Sequence, residues 1–159
     1  MMFRHRKIVV IAGFTAVIIV AFIMMSGRDW PSLSVVGADS GNPEQVAIGQ
    51  VVYQENCASC HGVEGEGQPN WRTRNAEDKL PAPPHDESGH TWHHSDQVLF
   101  QITKHGLQPP LAPFGYKSDM PAFMETLSDE QIWAVLAYIK SLWPAPTQAR
   151  QDRMNEADY

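Results

Sequence analysis

The sequence predicts an all-α domain preceded by one membrane-spanning helix, and three observations indicate this fold class. A run of 18 residues from Ile8 to Met25 carries no charge. Downstream of it, apolar residues recur at helical spacing and do not alternate with the period of two that strands need. Only two cysteines occur, which excludes a disulfide-stapled scaffold. From Asn42 onward, about 118 residues remain, enough for one small domain.

The first 41 residues predict a membrane anchor and a tether. Residues 1–7 are basic, and residues 8–25 would rise roughly 27 Å as a helix, close to the hydrocarbon thickness of a bilayer. No small-x-small cleavage site follows directly, so we interpret this segment as an uncleaved signal anchor; a cleaved signal peptide and a buried core helix are the alternatives. The basic end stays in the cytoplasm by the positive-inside rule, which places the domain on the far side. Residues 26–41 are expected to be a flexible linker.

The charge balance limits the partners that the domain can bind. The chain has 12 basic and 18 acidic residues, and three of the basic ones but none of the acidic ones precede the apolar run. The part that follows is therefore strongly acidic. Such a domain repels nucleic acid and anionic lipid, and it favours protein partners with basic docking surfaces.

Three helices are predicted in the domain, which we place at residues 42–143. The first is capped by Asn42, with Pro43 at its first position, and ends near Cys57. Its expected apolar face consists of Ala47, Ile48, Val51 and Val52. The second begins at Ser95 and Asp96 and ends before Gly106, and its inward residues are Val98, Leu99 and Ile102.

The third helix has the clearest pattern. Ser128 and Gln131 form a capping box, and Leu127 can pack against Ile132. Pro144 is expected to stop the helix. The apolar stripe consists of Ile132, Val135, Leu136, Ile139 and Trp143.

Two segments carry no helical pattern. Residues 62–94 form a long Gly-, Pro- and His-rich loop, which is reasonable in so small a domain if the loop wraps a large bound cofactor. Residues 144–159 contain few apolar side chains, and we expect a disordered tail.

The chemistry is expected at Cys57-Ala58-Ser59-Cys60-His61. This C-x-x-C-H sequence is the attachment signature of c-type haem, in which both thiols bond the porphyrin covalently and the histidine binds the iron. A zinc site would need two further Cys or His ligands at suitable spacing, and a thioredoxin-like redox pair would need a βαβ context. The sequence therefore predicts one covalent haem c at Cys57 and Cys60, with His61 as an axial iron ligand.

The chain resembles the class I, monohaem c-type cytochromes over about Pro43 to Trp143. The residues that carry the resemblance are the run from Cys57 to Gly67, which matches C-x-x-C-H-G-x-x-G-x-G, and Asp119-Met120-Pro121, which is similar to the distal-ligand loop. Gly49, Tyr53 and Tyr138 resemble the family's residues at the crossing of the terminal helices. The resemblance implies three main helices around the haem. It also implies that a proline carbonyl accepts a hydrogen bond from His61, and the candidates are Pro81, Pro83 and Pro84. Leu80 to His94 departs from the minimal family pattern.

The second axial ligand is expected to be Met120. Of the seven methionines, those at positions 1, 2, 24, 25 and 154 lie at the ends of the chain or in the apolar run. Met120 precedes Pro121, which restrains the backbone, in the segment between the second and third helices. Met124 and a histidine are the alternatives.

The remaining histidines have two interpretations. His85, His90, His93 and His94 would together suit copper or zinc if they converged. We favour the other interpretation, in which His94 and Trp92 pack at the haem edge and the other three are solvated.

These observations predict an electron-transfer protein rather than an enzyme. We expect a membrane-anchored monohaem cytochrome c on the periplasmic side of a bacterial inner membrane, carrying single electrons between redox protein donors and acceptors. An electron-transfer subunit of a larger membrane oxidoreductase is the alternative. A haem- or copper-based sensor or metal handler is a further one.

Overall fold

The structure is a computed structural model that describes residues 37–157. These residues form helices α1 (Pro43–Asn56), α2 (Ala58–His61), α3 (Asp96–His105), α4 (Asp129–Ser141) and α5 (Ala145–Ala157), with a 3-10 turn at Thr91–His93 before α3. No strand occurs in this part of the chain, which confirms the all-α class. The predicted anchor at residues 8–25 lies outside the described residues, and none of the helices α1 to α5 is long and apolar enough to cross a membrane.

The three predicted helices begin where their capping residues stand. The Asn42 side chain accepts the first free N–H groups of α1, and Ser95 accepts a hydrogen bond from Val98 in α3. At α4, Ser128 and Gln131 form both bonds of the capping box. These side chains satisfy backbone donors that a helix leaves free at its first turn, so the caps identify the helix starts without reference to tertiary structure.

Helices α1 and α4 cross in close contact at Gly49. A Cβ atom built on Gly49 would lie 1.9 Å from the Ala134 carbonyl oxygen, so only glycine allows this approach. One turn further along, the rings of Tyr53 and Tyr138 have their centroids 5.2 Å apart. The predicted roles of Gly49, Tyr53 and Tyr138 at the helix crossing are confirmed.

The predicted apolar face of α1 was wrong in three of its four residues. Only Val52 is buried, whereas Val51 and Ala47 are exposed and Ile48 is half-buried. The close approach at Gly49 turns the helix so that a different set of side chains meets α4. The buried residues of α1 are Gln45, Gly49, Val52 and Tyr53.

Helix α3 packs against α4 through aromatic rings rather than through the predicted stripe alone. The Phe100 and Trp133 rings stack with their centroids 4.2 Å apart. Leu99 is buried as predicted, but Val98 and Ile102 are only half-buried. The apolar stripe of α4 is confirmed in full, since its helical members and the following Trp143 are all buried.

The segment after Pro144 differs from the expected disordered tail, because it forms α5. Helix α5 has little apolar surface and is held instead by polar contacts to the start of α3. The buried Gln151 donates to the Asp96 carboxylate at 2.7 Å and to the His94 carbonyl at 3.2 Å. The Asn155 amide donates to the other Asp96 oxygen at 3.1 Å. Apolar content alone could not reveal an element that is held by hydrogen bonds.

Two further segments place the loops around the site. The structure describes residues 37–41 of the predicted linker, and the side chain of Gln45 holds them. Its amide nitrogen donates to the Gly37 carbonyl at 2.8 Å, and its amide oxygen accepts from the Asp39 N–H at 2.9 Å. The loop predicted over residues 62–94 contains no helix or strand up to His90, but it forms the 3-10 turn at Thr91–His93 before it ends. It folds back on the motif, where Gly67 N–H donates to the His61 carbonyl at 2.7 Å.

Candidate haem site

The C-x-x-C-H motif forms a helical turn at the junction of α1 and α2. Cys57 ends α1, and its carbonyl accepts the N–H groups of Cys60 at 3.1 Å and His61 at 2.9 Å. Both cysteines are free thiols; Cys57 is half-buried and Cys60 is exposed. One short turn therefore brings together three of the four predicted site residues.

The protonation of Cys57 argues against the redox-pair alternative. Burial, with a smaller contribution from Cys60, raises the pKa of Cys57 to about 12. Thiols in thioredoxin-like motifs have a lowered pKa, because the thiolate is the reacting species. Cys57 is instead a neutral thiol at neutral pH.

His61 is buried and its ring is anchored at one nitrogen. The Nδ1 atom lies 2.8 Å from the Pro83 carbonyl oxygen, so of the three candidate prolines the structure selects Pro83. A carbonyl oxygen only accepts hydrogen bonds, so Nδ1 carries the proton and Nε2 presents a lone pair. Burial lowers the pKa of His61, although the Pro83 bond opposes this shift. The side chain is therefore a neutral imidazole with one nitrogen available to a metal.

His85 is next to His61, which sequence reasoning missed. The two rings stack with their centroids 3.9 Å apart and their planes 20° apart. His85 was expected to be solvated, but it is half-buried and its Nδ1 atom lies 2.9 Å from the Thr91 hydroxyl. The only feature of the sequence that could have indicated this contact is that His85 lies two residues after Pro83. A segment whose Pro83 carbonyl bonds to His61 also places His85 close to His61.

The other three loop histidines pair with aromatic rings. His90 stacks on Trp71 with a centroid distance of 5.4 Å, and His93 stacks on Trp92 at 3.6 Å. His94 meets His90 edge-on at 5.7 Å. Across the chain from residue 37 to residue 157, no group of three or more His, Cys, Asp or Glu side chains is arranged to hold a metal ion. The copper- or zinc-cluster alternative therefore has no support in this region.

Met120 lies in the loop between α3 and α4, away from the motif in sequence. It is half-buried, and its N–H donates to the Ser118 hydroxyl at 3.0 Å. The preceding residue, Asp119, forms an ion pair with Lys79, which joins this loop to the long loop that follows the motif. Met124, the alternative ligand, is 49% exposed.

The donor set of the site suits a covalently bound haem. It offers two free thiols that are three positions apart and a neutral imidazole with a lone pair at Nε2. In c-type cytochromes these groups form the thioether links and one of the axial iron ligands. Cys57, Cys60 and His61 thus fit haem c, and Met120 as the second axial ligand stays a prediction.

Comparisons with known proteins agree with a covalently bound haem. The profile of the cytochrome c family matches residues 46–143. The chain is 28% identical over 130 residues to the cbb3-type cytochrome c oxidase subunit FixP of Sinorhizobium medicae (strain WSM419), covering 70% of this chain and 41% of that protein. It is 31% identical over 105 residues to the FixP subunit of Rhizobium meliloti (strain 1021), covering 65% of this chain and 32% of that protein. This chain thus spans less than half the length of these relatives.

No solved structure matches the chain. The family match covers more than half of the sequence, from α1 to the residue that precedes Pro144, and includes the motif and the helix crossing. The chain therefore belongs to the cytochrome c family, whose members are electron-transfer proteins that bind haem covalently.

Proposed function

We propose that this cytochrome c is a membrane-anchored carrier of single electrons, with one haem bound by Cys57 and Cys60 and the iron ligated by His61 and Met120. The observation that carries the proposal is the hydrogen bond between His61 Nδ1 and the Pro83 carbonyl, beside the two free thiols. It leaves Nε2 unprotonated on a buried ring, which is the state that binds iron.

The haem supplies the reversible one-electron change, and the protein supplies ligands, burial and orientation. Pro83 fixes the tautomer of His61 and raises its basicity as a ligand. The Tyr53 hydroxyl donates to the Gly62 carbonyl at 2.9 Å and so holds the backbone directly after His61. Ligation by both His61 and Met120 would leave no open position for a substrate, and methionine favours the reduced iron. This arrangement suits an electron carrier.

A pair of methionine variants tests the ligand assignment. We expect Met120→Ala to lose the low-spin His/Met spectrum of the detergent-solubilised, haem-loaded chain and to lower its reduction potential, because the thioether that favours the reduced iron is removed. Met124→Ala is the matched control from the same loop and should keep both. The assignment is wrong if Met120→Ala keeps both properties, and the reverse pattern would transfer the role to Met124. A purified chain without covalent haem would overturn the proposed function itself.

A second candidate function is that of an electron-transfer subunit within a larger membrane oxidoreductase. The relatives favour it, since both are named as subunits of a cbb3-type cytochrome c oxidase. Purification from native membranes in mild detergent distinguishes the two. Stable co-purification with a catalytic subunit supports the second function, whereas a chain that elutes alone supports the free carrier.

Anchoring at residues 8–25 gives a separate expectation. The chain should stay in the membrane fraction after an alkaline wash. A variant in which a cleavable export signal replaces residues 8–25 should be released as a soluble haem protein. Release of the full-length chain by the wash would contradict the anchor.

A further inference from the structure

We propose that His85 is a positioning residue that sets the plane of the His61 imidazole; this inference rests on the proposed role of His61 as an iron ligand. The two rings stack at a centroid distance of 3.9 Å, with their planes 20° apart. The bond from His61 to Pro83 fixes one ring atom but leaves the ring free to tilt about that contact. A flat ring against its face restricts this tilt, so the two contacts together define the plane.

His85 can hold another ring because it is itself held at three points. Its Nδ1 atom lies 2.9 Å from the hydroxyl of the buried Thr91. Its backbone N–H donates to the Gly65 carbonyl at 2.7 Å. Its carbonyl accepts a hydrogen bond of 2.7 Å from the indole of Trp143, which is buried at the end of α4. The position of His85 is thus coupled to the core of the domain through Trp143.

Tyr53 supports the same pair of rings. Its ring meets His85 edge-on, with centroids 6.1 Å apart and planes at 70°. The hydroxyl of Tyr53 is used by the Gly62 carbonyl, so the same side chain contacts His85 and the residue that follows His61. The imidazole of His85 therefore lies against His61, with Tyr53 at its edge.

A flat aromatic ring that packs face to face against His61 restrains the plane of the His61 imidazole. Contacts of this kind, one shell out from the metal, orient ligands and tune the metal's properties.

The test compares His85→Leu with His85→Phe in the haem-loaded, full-length chain. Leucine fills a similar volume without a flat ring, whereas phenylalanine keeps a flat ring but loses the bond to Thr91. The readout is the set of g-values of the ferric low-spin electron paramagnetic resonance signal, which depends on the orientation of the axial ligand planes. We expect a clear shift for His85→Leu and a shift less than half as large for His85→Phe.

Unchanged g-values in His85→Leu, or equal shifts in both variants, would overturn the positioning role. Thr91→Val is the second variant if His85→Leu does not fold, because it removes only the hydroxyl that holds the ring. Thr91→Val should shift the g-values slightly, in the same direction as His85→Leu. If His85→Leu does not fold, the comparison is with the wild type alone, and unchanged g-values in Thr91→Val overturn the proposal. The wild type is measured first: a chain with no covalent haem or no low-spin signal refutes the proposed function instead.

Discussion

Replacing Lys140 by methionine tests how α4 holds the start of α3 and also α5, whose Asp152 carboxylate lies 3.9 Å from the Lys140 ammonium. The Lys140 ammonium donates to both Asp96 oxygens, at 3.0 and 2.8 Å. The side chains of Lys140 and Asp96 are only 6% and 19% exposed. Asp96 also accepts hydrogen bonds from the amides of Gln151 and Asn155. Lys140→Met keeps the length of the side chain and leaves the Asp96 carboxylate without its counter-ion.

The burial of the pair sets the expected cost. Losing one partner of a buried ion pair costs about 3–5 kcal/mol, whereas an exposed pair contributes about 0–1 kcal/mol. Asp96 keeps its two amide donors and some contact with water, so the lower end applies. We expect Lys140→Met to lower the free energy of unfolding by about 3 kcal/mol and, in a domain of this size, to lower the Tm by on the order of 10 °C.

Lys104→Met is the matched control. The Lys104 ammonium also donates to both oxygens of a carboxylate, that of Asp129, at 2.7 and 2.9 Å. This pair is exposed, with side-chain values of 26% and 55%. We expect a loss of about 1 kcal/mol or less in the control. Urea denaturation of the haem-loaded chain, followed by helical circular dichroism, measures both. Equal losses in the two variants, or a loss below about 1 kcal/mol in Lys140→Met, would refute the reasoning from burial.

Two further predictions concern the helix crossing and the histidines of the long loop. Gly49→Ala should lower the free energy of unfolding by about 3 kcal/mol or more, because the new Cβ would lie 1.9 Å from the Ala134 carbonyl oxygen. Gly41→Ala is the control, since its Cβ would lie 3.2 Å from the nearest atom. The same urea assay should show almost no change for the control. Burial is the main cause that lowers the pKa of His90 and His94 from the ordinary value of 6.5, and neighbouring charged groups add to the shift. The unfolded chain therefore binds more protons just below pH 6.5, and stability should be fully present above that pH and fall as the pH decreases. The urea midpoint should drop between about pH 7.5 and pH 5, and by less in a His90→Asn/His94→Asn double variant; an equal drop in that variant would contradict the assignment.

The sequence predicted best what local chemistry decides. The starts of α1, α3 and α4 were predicted from Asn42, Ser95 and Ser128, because a capping side chain bonds to its own helix and needs no tertiary partner. The motif at Cys57 to His61 was equally readable, since its spacing reflects one helical turn. The buried face of α1 was predicted wrongly, because Gly49 allows the helices to approach through its missing side chain and so adds nothing to the apolar pattern.

The candidate site shows the same division. By itself, the sequence determined the family, the class of cofactor and a short set of candidate ligands, because these depend on residue types at fixed spacing. Only the tertiary structure decided that Pro83 bonds His61, that His85 stacks on it, and that a polar segment after Pro144 forms a helix held by Asp96. Each of these contacts joins residues 22 or more positions apart. Such pairings depend on how the loops close around the core, and no local pattern in the chain encodes that closure.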